Sequence, residues 1–392
     1  MARKKKSAEQ ARLNQIVTIV LVVGFVGLGL YYLFTGSDPL GMFSQETVTE
    51  TGVSPQVTTA NGDWWEVYFT DPNNINNPDD LRGSIPEKLI DYINGAQESI
   101  HIASFEMNLT PVAEALVAAH QRGVDVRFVT DDENGIEADE EEGHGQFAML
   151  EDAGIPVHDD ERSALMHNKF WIFDGETVWT GSTNITVNGN FRNNNNVLVL
   201  HSPVVAAMFE QEFNEMWAGE FGPRSPSTVA QQSVVIDGTA VDVLFAAEDD
   251  AISHLVPLLE GAQESIEFMA FSFTHDELGT AVSDRAAAGV NVRGIFETRG
   301  SETEYSELPR LYCEGLDVRQ DGNPGTFHHK VFIIDGETVV TGSLNFSENA
   351  DESNDENVVI IHDAEIAALY QQEFARRWAE ATVPDTADMG CK

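Results

Sequence analysis

Apolar and polar positions along this chain alternate between a helical and a strand rhythm, and the whole alternation is written twice. Ser84 and Pro86 open a helix that runs to about Gly95, as an N-cap and a first-turn proline do. Ser99 to Phe105 reads as a strand, Thr110-Pro111 starts a helix that stops near Gly123, and Val124 to Val129 is another strand. The second half predicts a helix near 251–261, a strand over 265–271, a helix over 276–288 and a strand over 290–296. Such alternation implies an α/β sandwich, a sheet with helices on its faces. Trp64, Trp65 and Phe69 read as core strand residues.

The repetition extends to individual residues. Gly95-Ala96-Gln97-Glu98-Ser99-Ile100 returns 166 positions later as Gly261-Ala262-Gln263-Glu264-Ser265-Ile266. His167, Lys169, Asp174, Ser182 and Asn184 return 161 positions later as His328, Lys330, Asp335, Ser343 and Asn345. A near-constant offset implies one fold duplicated, with pseudo-two-fold symmetry between the copies. Each motif falls on a hairpin: Lys169 to Phe173 is strand-like, Asp174-Gly175 is a turn pair, and Thr177 to Thr180 returns. Val331 to Ile334, Asp335-Gly336 and Thr338 to Thr341 do the same. Side chains at i and i+2 share a face of a strand, so each His points the same way as its Lys. The returning strand brings Ser182 and Asn184, or Ser343 and Asn345, toward that pair. For Asp174 and Asp335, at the turns, a structural role competes with a catalytic one.

Ahead of the repeats, residues Ile16 to Phe34 form nineteen positions without a charge, close to the ~20 a helix needs to cross a bilayer. Tyr31, Tyr32 and Phe34 suit an interfacial aromatic belt, which favours a retained transmembrane anchor over a cleaved signal. The division expected is a basic cytoplasmic start over 1–15, an anchor over 16–34, a linker over 35–61, domains over 62–225 and 226–380, and a tail over 381–392. By the positive-inside rule both domains then lie outside the cytoplasm of the cell membrane. There Cys313 and Cys391 either pair or remain two free thiols.

Net charge is −43, yet residues 1–12 hold five basic side chains, leaving 17 of the 22 basic and 64 of the 65 acidic residues to everything after them. A body so acidic repels polyanions at low salt. At about 1 M salt, where the Debye length is ~3 Å, the repulsion largely vanishes. The acidic run from Asp131 to Glu142 reads as a solvated loop sooner than a Ca²⁺ site.

The two His-x-Lys-x4-Asp motifs, each followed by Gly-Ser-x-Asn, closely resemble the phospholipase D superfamily over residues 62–380. The resemblance implies two phospholipase D-like domains and a phosphodiesterase that works without metal or other cofactor, in two steps, where the halves meet. It also marks Glu356, 28 positions after His328, as the place of a carboxylate that orients an imidazole; Asn195 stands 28 after His167. The chemistry follows from the residues as well. Lys169 and Lys330, with amide donors from Asn184 and Asn345 and hydroxyls from Ser182 and Ser343, form a cationic cradle for a phosphate. One imidazole attacks phosphorus and the other protonates the leaving oxygen. If Glu356 serves His328 and Asn195 serves His167, the carboxylate keeps His328 protonated as the acid and His167 is the nucleophile.

A membrane tether and an acidic surface point to phospholipid as substrate, by hydrolysis or transfer to an alcohol, with nucleic acid the weaker partner. A nuclease of the same superfamily needs a basic groove, for which Arg162, Arg192, Arg293, Arg299, Arg310 and Arg319 are the candidates. A cardiolipin synthase-like transferase and an inactive scaffold rank below these. Met166 and Phe327, just before the motifs, are candidates for touching substrate. His144, His158, His201 and His362 lack the motif's companions and read as surface or packed residues.

Overall fold

A computed structural model describes residues 58–391 apart from 227 and 230. The basic start, the anchor over 16–34 and the linker as far as 57 lie outside the described residues. Among the described residues no helix is long and apolar enough to cross a membrane.

The first half contains β1 (Thr58–Asn61), β2 (Trp65–Phe69), α1 (Ile85–Gly95), β3 (Ser99–Ser104), α2 (Thr110–Gln121), β4 (Asp125–Thr130), α3 (Gln146–Asp152), β5 (Val157–Asp159), β6 (Lys169–Phe173), β7 (Thr177–Gly181), α4 (Val187–Phe191), β8 (Asn196–His201) and α5 (Pro203–Trp217). The second half repeats them as β9 (Ser233–Ile236), β10 (Thr239–Ala246), α6 (Ala251–Gly261), β11 (Ser265–Ala270), α7 (Asp276–Ala287), β12 (Asn291–Phe296), α8 (Glu307–Cys313), β13 (Asp317–Gln320), β14 (Lys330–Ile334), β15 (Thr338–Gly342), α9 (Glu348–Glu352), β16 (Glu356–His362) and α10 (Ala364–Glu380). A short α11 (Thr386–Met389) follows. One sheet has the order β1-β2-β8-β7-β6-β3-β4-β5 and the other β13-β12-β11-β14-β15-β16-β10-β9, the same arrangement read from opposite edges. Only β3–β4–β5 and β11–β12–β13 pair in parallel, where helices make the crossovers.

Local chemistry accounts for the elements. Ser84 accepts the Glu87 N–H, Glu87 reaches back to the Gly83 N–H, and Pro86 occupies the first turn of α1. The central strands are buried on both faces and alternate between two destinations. Trp171 and Phe173 pack under the helices of their own half, whereas Phe170 and Ile172 enter an apolar cluster shared with Val331 and Ile333 of the other half. The long helices complete that cluster through Phe209 and Phe213 of α5 and Tyr370 and Phe374 of α10. At roughly 1.5–3 kcal/mol for each fully buried large side chain, this shared layer holds the halves together. Trp65 and Phe69 belong to it as well.

Asp174 and Asp335 are not brought to the candidate catalytic residues. Asp174 follows β6 at the end opposite Lys169, about 16 Å away at ~3.3 Å per residue. Its carboxylate accepts the N–H groups of Gln97, Glu98 and Ser99 at 2.7–3.0 Å. Asp335 holds Gln263, Glu264 and Ser265 in the same way. Both have φ of +54°, a left-handed turn conformation that Asp tolerates. The repeated Gly-Ala-Gln-Glu-Ser-Ile and the motif's Asp are therefore two sides of one clamp between a hairpin turn and a helix-to-strand junction. Cys313 and Cys391 form a disulfide that ties α8 to the tail.

Asp335→Ala leaves three N–H groups without their acceptor. It is expected to cost about 1–3 kcal/mol in urea unfolding while kcat of the folded protein at 20 °C stays within about twofold; a loss of kcat without a loss of stability would return Asp335 to the chemistry.

Candidate active site

His167 and His328 each stand two residues ahead of the lysine that begins β6 or β14. The residues just ahead of them pair with the opposite half, Met166 with Asp355 and Phe327 with Asn194. His167 N–H donates to the Asp355 carbonyl at 2.9 Å, and His328 N–H donates to the Asn194 carbonyl at 2.9 Å. The β8 and β16 segments thus deliver their polar residues to the other half's histidine. Glu356 accepts from His167 Nδ1 at 2.8 Å through both carboxylate oxygens. Asn195 Oδ1 accepts from His328 Nδ1 at 2.9 Å, with the Ser182 carbonyl at 3.1 Å. The expected partnering is therefore reversed: Glu356 serves His167 and Asn195 serves His328. A spacing of 28 residues measures distance within one half and says nothing of where a docked second half places the side chain.

Both Nδ1 atoms face acceptors and carry the hydrogen, which leaves Nε2 for the cleft that both rings line. Asn195 is fixed in this orientation because its Nδ2 donates to the Gly189 carbonyl at 2.8 Å. Lys169 Nζ donates to the His167 carbonyl at 2.7 Å and Lys330 Nζ to the His328 carbonyl at 3.0 Å. Phe105 meets the His167 ring at 4.9 Å and lies 5.0 Å from Lys169; Phe271 meets His328 at 4.8 Å and lies 5.0 Å from Lys330. The pseudo-two-fold thus extends to the aromatic walls.

The remaining candidates divide. Asn184 and Asn345 line the cleft, and the Oδ1 of each is buried without a hydrogen-bond partner. Asn184 Nδ2 spends one hydrogen on Glu106 at 2.6 Å. Ser182 and Ser343 are not placed to bind phosphate. Ser182 Oγ donates to Asn195 at 2.9 Å and accepts the Asn196 N–H at 3.0 Å, while Ser343 Oγ accepts the Asn357 N–H at 2.9 Å. They lock the orienting strands instead. Met166 and Phe327 are fully buried in the shared cluster and do not line the cleft.

Sequence reasoning passed over Phe105, Phe271, Glu106 and Glu297, all of which line the cleft. Phe105 and Phe271 had a signal, since both stand at the 166-residue offset of the repeat. Glu106 had none, because its counterpart is Ser272. The run from Asp131 is solvated, as expected, with Asp131 and Asp139 capping backbone N–H groups; its exposed Glu133, Glu137 and Glu141 also form one wall of the cleft, whose volume is about 1080 Å³.

Burial governs the charges. It holds both imidazoles well below the usual histidine range, and Lys169 and Lys330 push them further down. It pulls Lys169 down to about 8, against the carboxylates of Glu356, Glu106 and Asp131, and holds Lys330 well below the usual lysine range, with Lys169 adding to the effect. It pushes Glu356 up to about 8, opposed chiefly by Lys169. A phosphodiester monoanion between the lysines favours their charged forms, so the site is poised to take up an anion.

Two mixed α/β sheets related by a pseudo-two-fold, with a His from each half lining one cleft and a buried Lys from each half bonded to that His carbonyl, define a phosphodiesterase of the phospholipase D type. The chain belongs to the family described as cardiolipin synthase, PLD-like domain, which matches residues 89–217 and 255–378. It is 40% identical over 132 residues to the mitochondrial cardiolipin hydrolase of Xenopus tropicalis, covering 34% of this chain and 63% of that protein. It is 39% identical over 139 residues to a phospholipase D of Rickettsia conorii, covering 36% of this chain and 70% of the relative. The chain thus spans under two thirds of the length of the cardiolipin hydrolase that it matches. The fold is that of the phosphatidylserine synthase structure from Haemophilus influenzae Rd KW20, at a TM-score of 0.60 and 14% identity, covering 82% of this chain and 90% of that one.

A reaction that needs Glu356 ionised and Lys169 protonated loses activity below the first pKa and above the second. With both near 8, kcat/KM for bis(p-nitrophenyl) phosphate is expected to follow a narrow bell centred near pH 8. Glu356→Gln removes the acid limb along with most of the rate; an acid limb that survives in this variant would exclude Glu356 as its source.

Proposed function

We propose that this chain cleaves phospholipid phosphodiesters at a membrane surface, through a phosphohistidine formed on His167. The observation that carries the substrate class is the charge of the cleft above the two lysines. Glu106, Glu133, Glu137, Glu141 and Glu297 line it, with Arg299 the one arginine among the lining residues. Arg299 is itself held by Glu297 at 2.9 Å. Such a wall admits a single phosphodiester with a neutral or cationic head group and opposes a polyanion. The other arginines named as candidates for a nucleic-acid groove are engaged elsewhere. Arg162 bonds Asp160 and Asp355, Arg293 bonds Glu267, Arg310 bonds Glu307, Arg319 lies 3.8 Å from Asp317, and Arg192 bonds the Asn76 carbonyl. Relatives named cardiolipin hydrolase and phospholipase D support the same reading.

The partnering of the histidines supports the assignment of roles, for a reason opposite to the expected one. In the first step His167 Nε2 bonds phosphorus and the bond to the head-group oxygen breaks, that oxygen taking a proton from His328. The His167 ring becomes cationic as the N–P bond forms, and Glu356 beside Nδ1 stabilises that charge. Burial and the two lysines disfavour a charged His328, and the phosphodiester's negative charge is what lets it take up the proton; with only neutral carbonyl oxygens at Nδ1, its imidazolium then gives that proton up readily. In the second step water or an alcohol attacks phosphorus, passes its proton to His328 and releases His167. Lys169, Lys330, Asn184 and Asn345 hold the equatorial oxygens throughout. The chain's own apolar segment over 16–34 tethers the catalytic body outside the cytoplasm, a location in keeping with the Cys313–Cys391 disulfide.

Full-length protein in proteoliposomes of phosphatidylcholine and phosphatidylethanolamine is expected to release head group, and to form phosphatidylethanol when ethanol is added. His167→Ala lowers the rate at least about 10³-fold, and quenched turnover leaves acid-labile phosphate on the His167 peptide. Phosphate on the His328 peptide reverses the roles; cleavage of single-stranded DNA without lipid turnover overturns the substrate.

A further inference from the structure

The pseudo-two-fold makes two equivalent contacts in which the long helix of one half also reaches the second strand from the edge of the other half's sheet, α10 meeting β2 and α5 meeting β10, and the two are built from different residues. In α10 the sequence Gln372-Glu373-Phe374-Ala375-Arg376-Arg377-Trp378 matches Gln211-Glu212-Phe213-Asn214-Glu215-Met216-Trp217 of α5, again at an offset of 161. Glu373 is buried and balanced: Arg377 bonds it at 2.7 Å, Arg376 bonds its other oxygen at 2.8 Å, and His329 lies 3.4 Å away. The same arginines reach the Thr70 carbonyl, at 2.9 Å from Arg377, just after β2.

At the matching place in the first half every cation is missing. Arg376 is replaced by Glu215, Arg377 by Met216 and His329 by Asn168. The loop after β10, which corresponds to the one after β2, adds a third carboxylate, Glu248. One oxygen from each of Glu212, Glu215 and Glu248 lies within 4.8 Å of the others. Glu212 is only 2% exposed, and its Oε2 has no hydrogen-bond partner. Glu248 Oε2 is likewise buried without a donor, and only a proton shared between the two carboxylates would join it to Glu212. Glu215 is occupied by the Ser225 hydroxyl and the Thr228 N–H, which fix its carboxylate. The charges bearing most strongly on Glu212 are Glu248, Asp355 and Glu215, all acidic.

We propose that Glu212, Glu215 and Glu248 bind a hard divalent cation, Ca²⁺, which takes the place that Arg376 and Arg377 fill in the other half and joins α5 to the second sheet. Three carboxylates from two separate segments suit the irregular, oxygen-only coordination of Ca²⁺ better than the strict octahedron of Mg²⁺. None of the three lines the catalytic cleft, so the ion serves the docking of the halves.

Full-length protein in detergent, stripped with EDTA and dialysed into Ca²⁺, is expected to bind an ion that Glu212→Gln loses and Asp132→Asn retains. The retained ion distinguishes this site from the second acidic group at Asp131, Asp132 and Asp160. Saturating Ca²⁺ raises Tm by about 5 °C, Mg²⁺ by less, and the shift disappears in Glu212→Gln and in the half-buried Glu248→Gln. The double substitution E215R/M216R, which installs the second half's arginines, is expected to reach the Ca²⁺-bound Tm in EDTA and to ignore Ca²⁺. A Tm that does not respond to Ca²⁺, or a response that survives both glutamine variants, overturns the site. A stripped protein that ignores Ca²⁺ and instead gains stability between pH 8 and pH 6 overturns it too, since a proton shared by Glu212 and Glu248 would then balance the cluster.

Discussion

The structure depends on an exchange of hydrogen bonds across the pseudo-two-fold: each half supplies the residue that orients the other half's histidine. Glu356 belongs to the second half and holds His167, while Asn195 belongs to the first and holds His328. Two lysines, two imidazoles and a carboxylate are almost fully withdrawn from water in one small volume. Left unpaired, each such group would cost several kcal/mol. Neither half alone can satisfy them, so docking and assembly of the site are the same event. This explains why the interface carries so many polar residues amid its apolar layer. Thr180 meets Asn357, Asn196 meets Thr341, and Asn357 meets Asn168, all at 2.7–2.8 Å across the halves. These side chains keep the strands in register beneath the histidines.

Much of this was legible along the chain. The helices and strands predicted around α1, β3, α2 and β4, and around their repeats, begin and end within about two residues of the observed bounds, because caps, prolines and β-branched runs act locally. The histidines, lysines and asparagines were legible because the duplication prints them twice. Three features escaped, each for a physical reason. The partners of the imidazoles depend on docking, to which spacing within one half is blind. Asp174 and Asp335 stand within the motif for the sake of a turn clamp, and a motif does not separate residues kept for folding from those kept for chemistry. The glutamates after Asp131 are exposed, as expected, but their place on a wall of the cleft was not legible, since only the tertiary fold brings the end of β4 over the histidines.

Duplication gives two equal halves, and the reaction needs unequal ones. A nucleophile benefits from a neighbour that stabilises the cation left on its ring, whereas an acid benefits from a neighbour that does not. In the mechanism proposed, one carboxylate facing one amide, at positions related by the pseudo-two-fold, is the smallest difference that separates the roles. The helices α5 and α10 have diverged in a similar way, with Glu212 and Glu373 kept and the residues that balance them changed. Symmetry is therefore retained in the backbone and the apolar layer, where packing requires it, and lost at positions where charge decides what a side chain does.

The choice of lysine for the cradle follows from the same burial. An arginine would keep its charge at any pH the protein meets, and two of them packed beside two imidazoles would stay ionised and repel each other in the empty site. Lysine yields: burial pulls Lys169 down to about 8 and holds Lys330 well below its usual range. The empty site thus avoids the full cost of two buried cations. An entering phosphodiester brings the negative charge that draws protons back onto the ammonium groups, and the developing charge of the transition state draws them more strongly still. Attraction that grows with charge at phosphorus favours the transition state over the ground state, which is the condition for catalysis. The acidic surroundings fit this scheme, because a strongly negative surface keeps stray polyanions from a cradle that one properly placed phosphate suffices to charge.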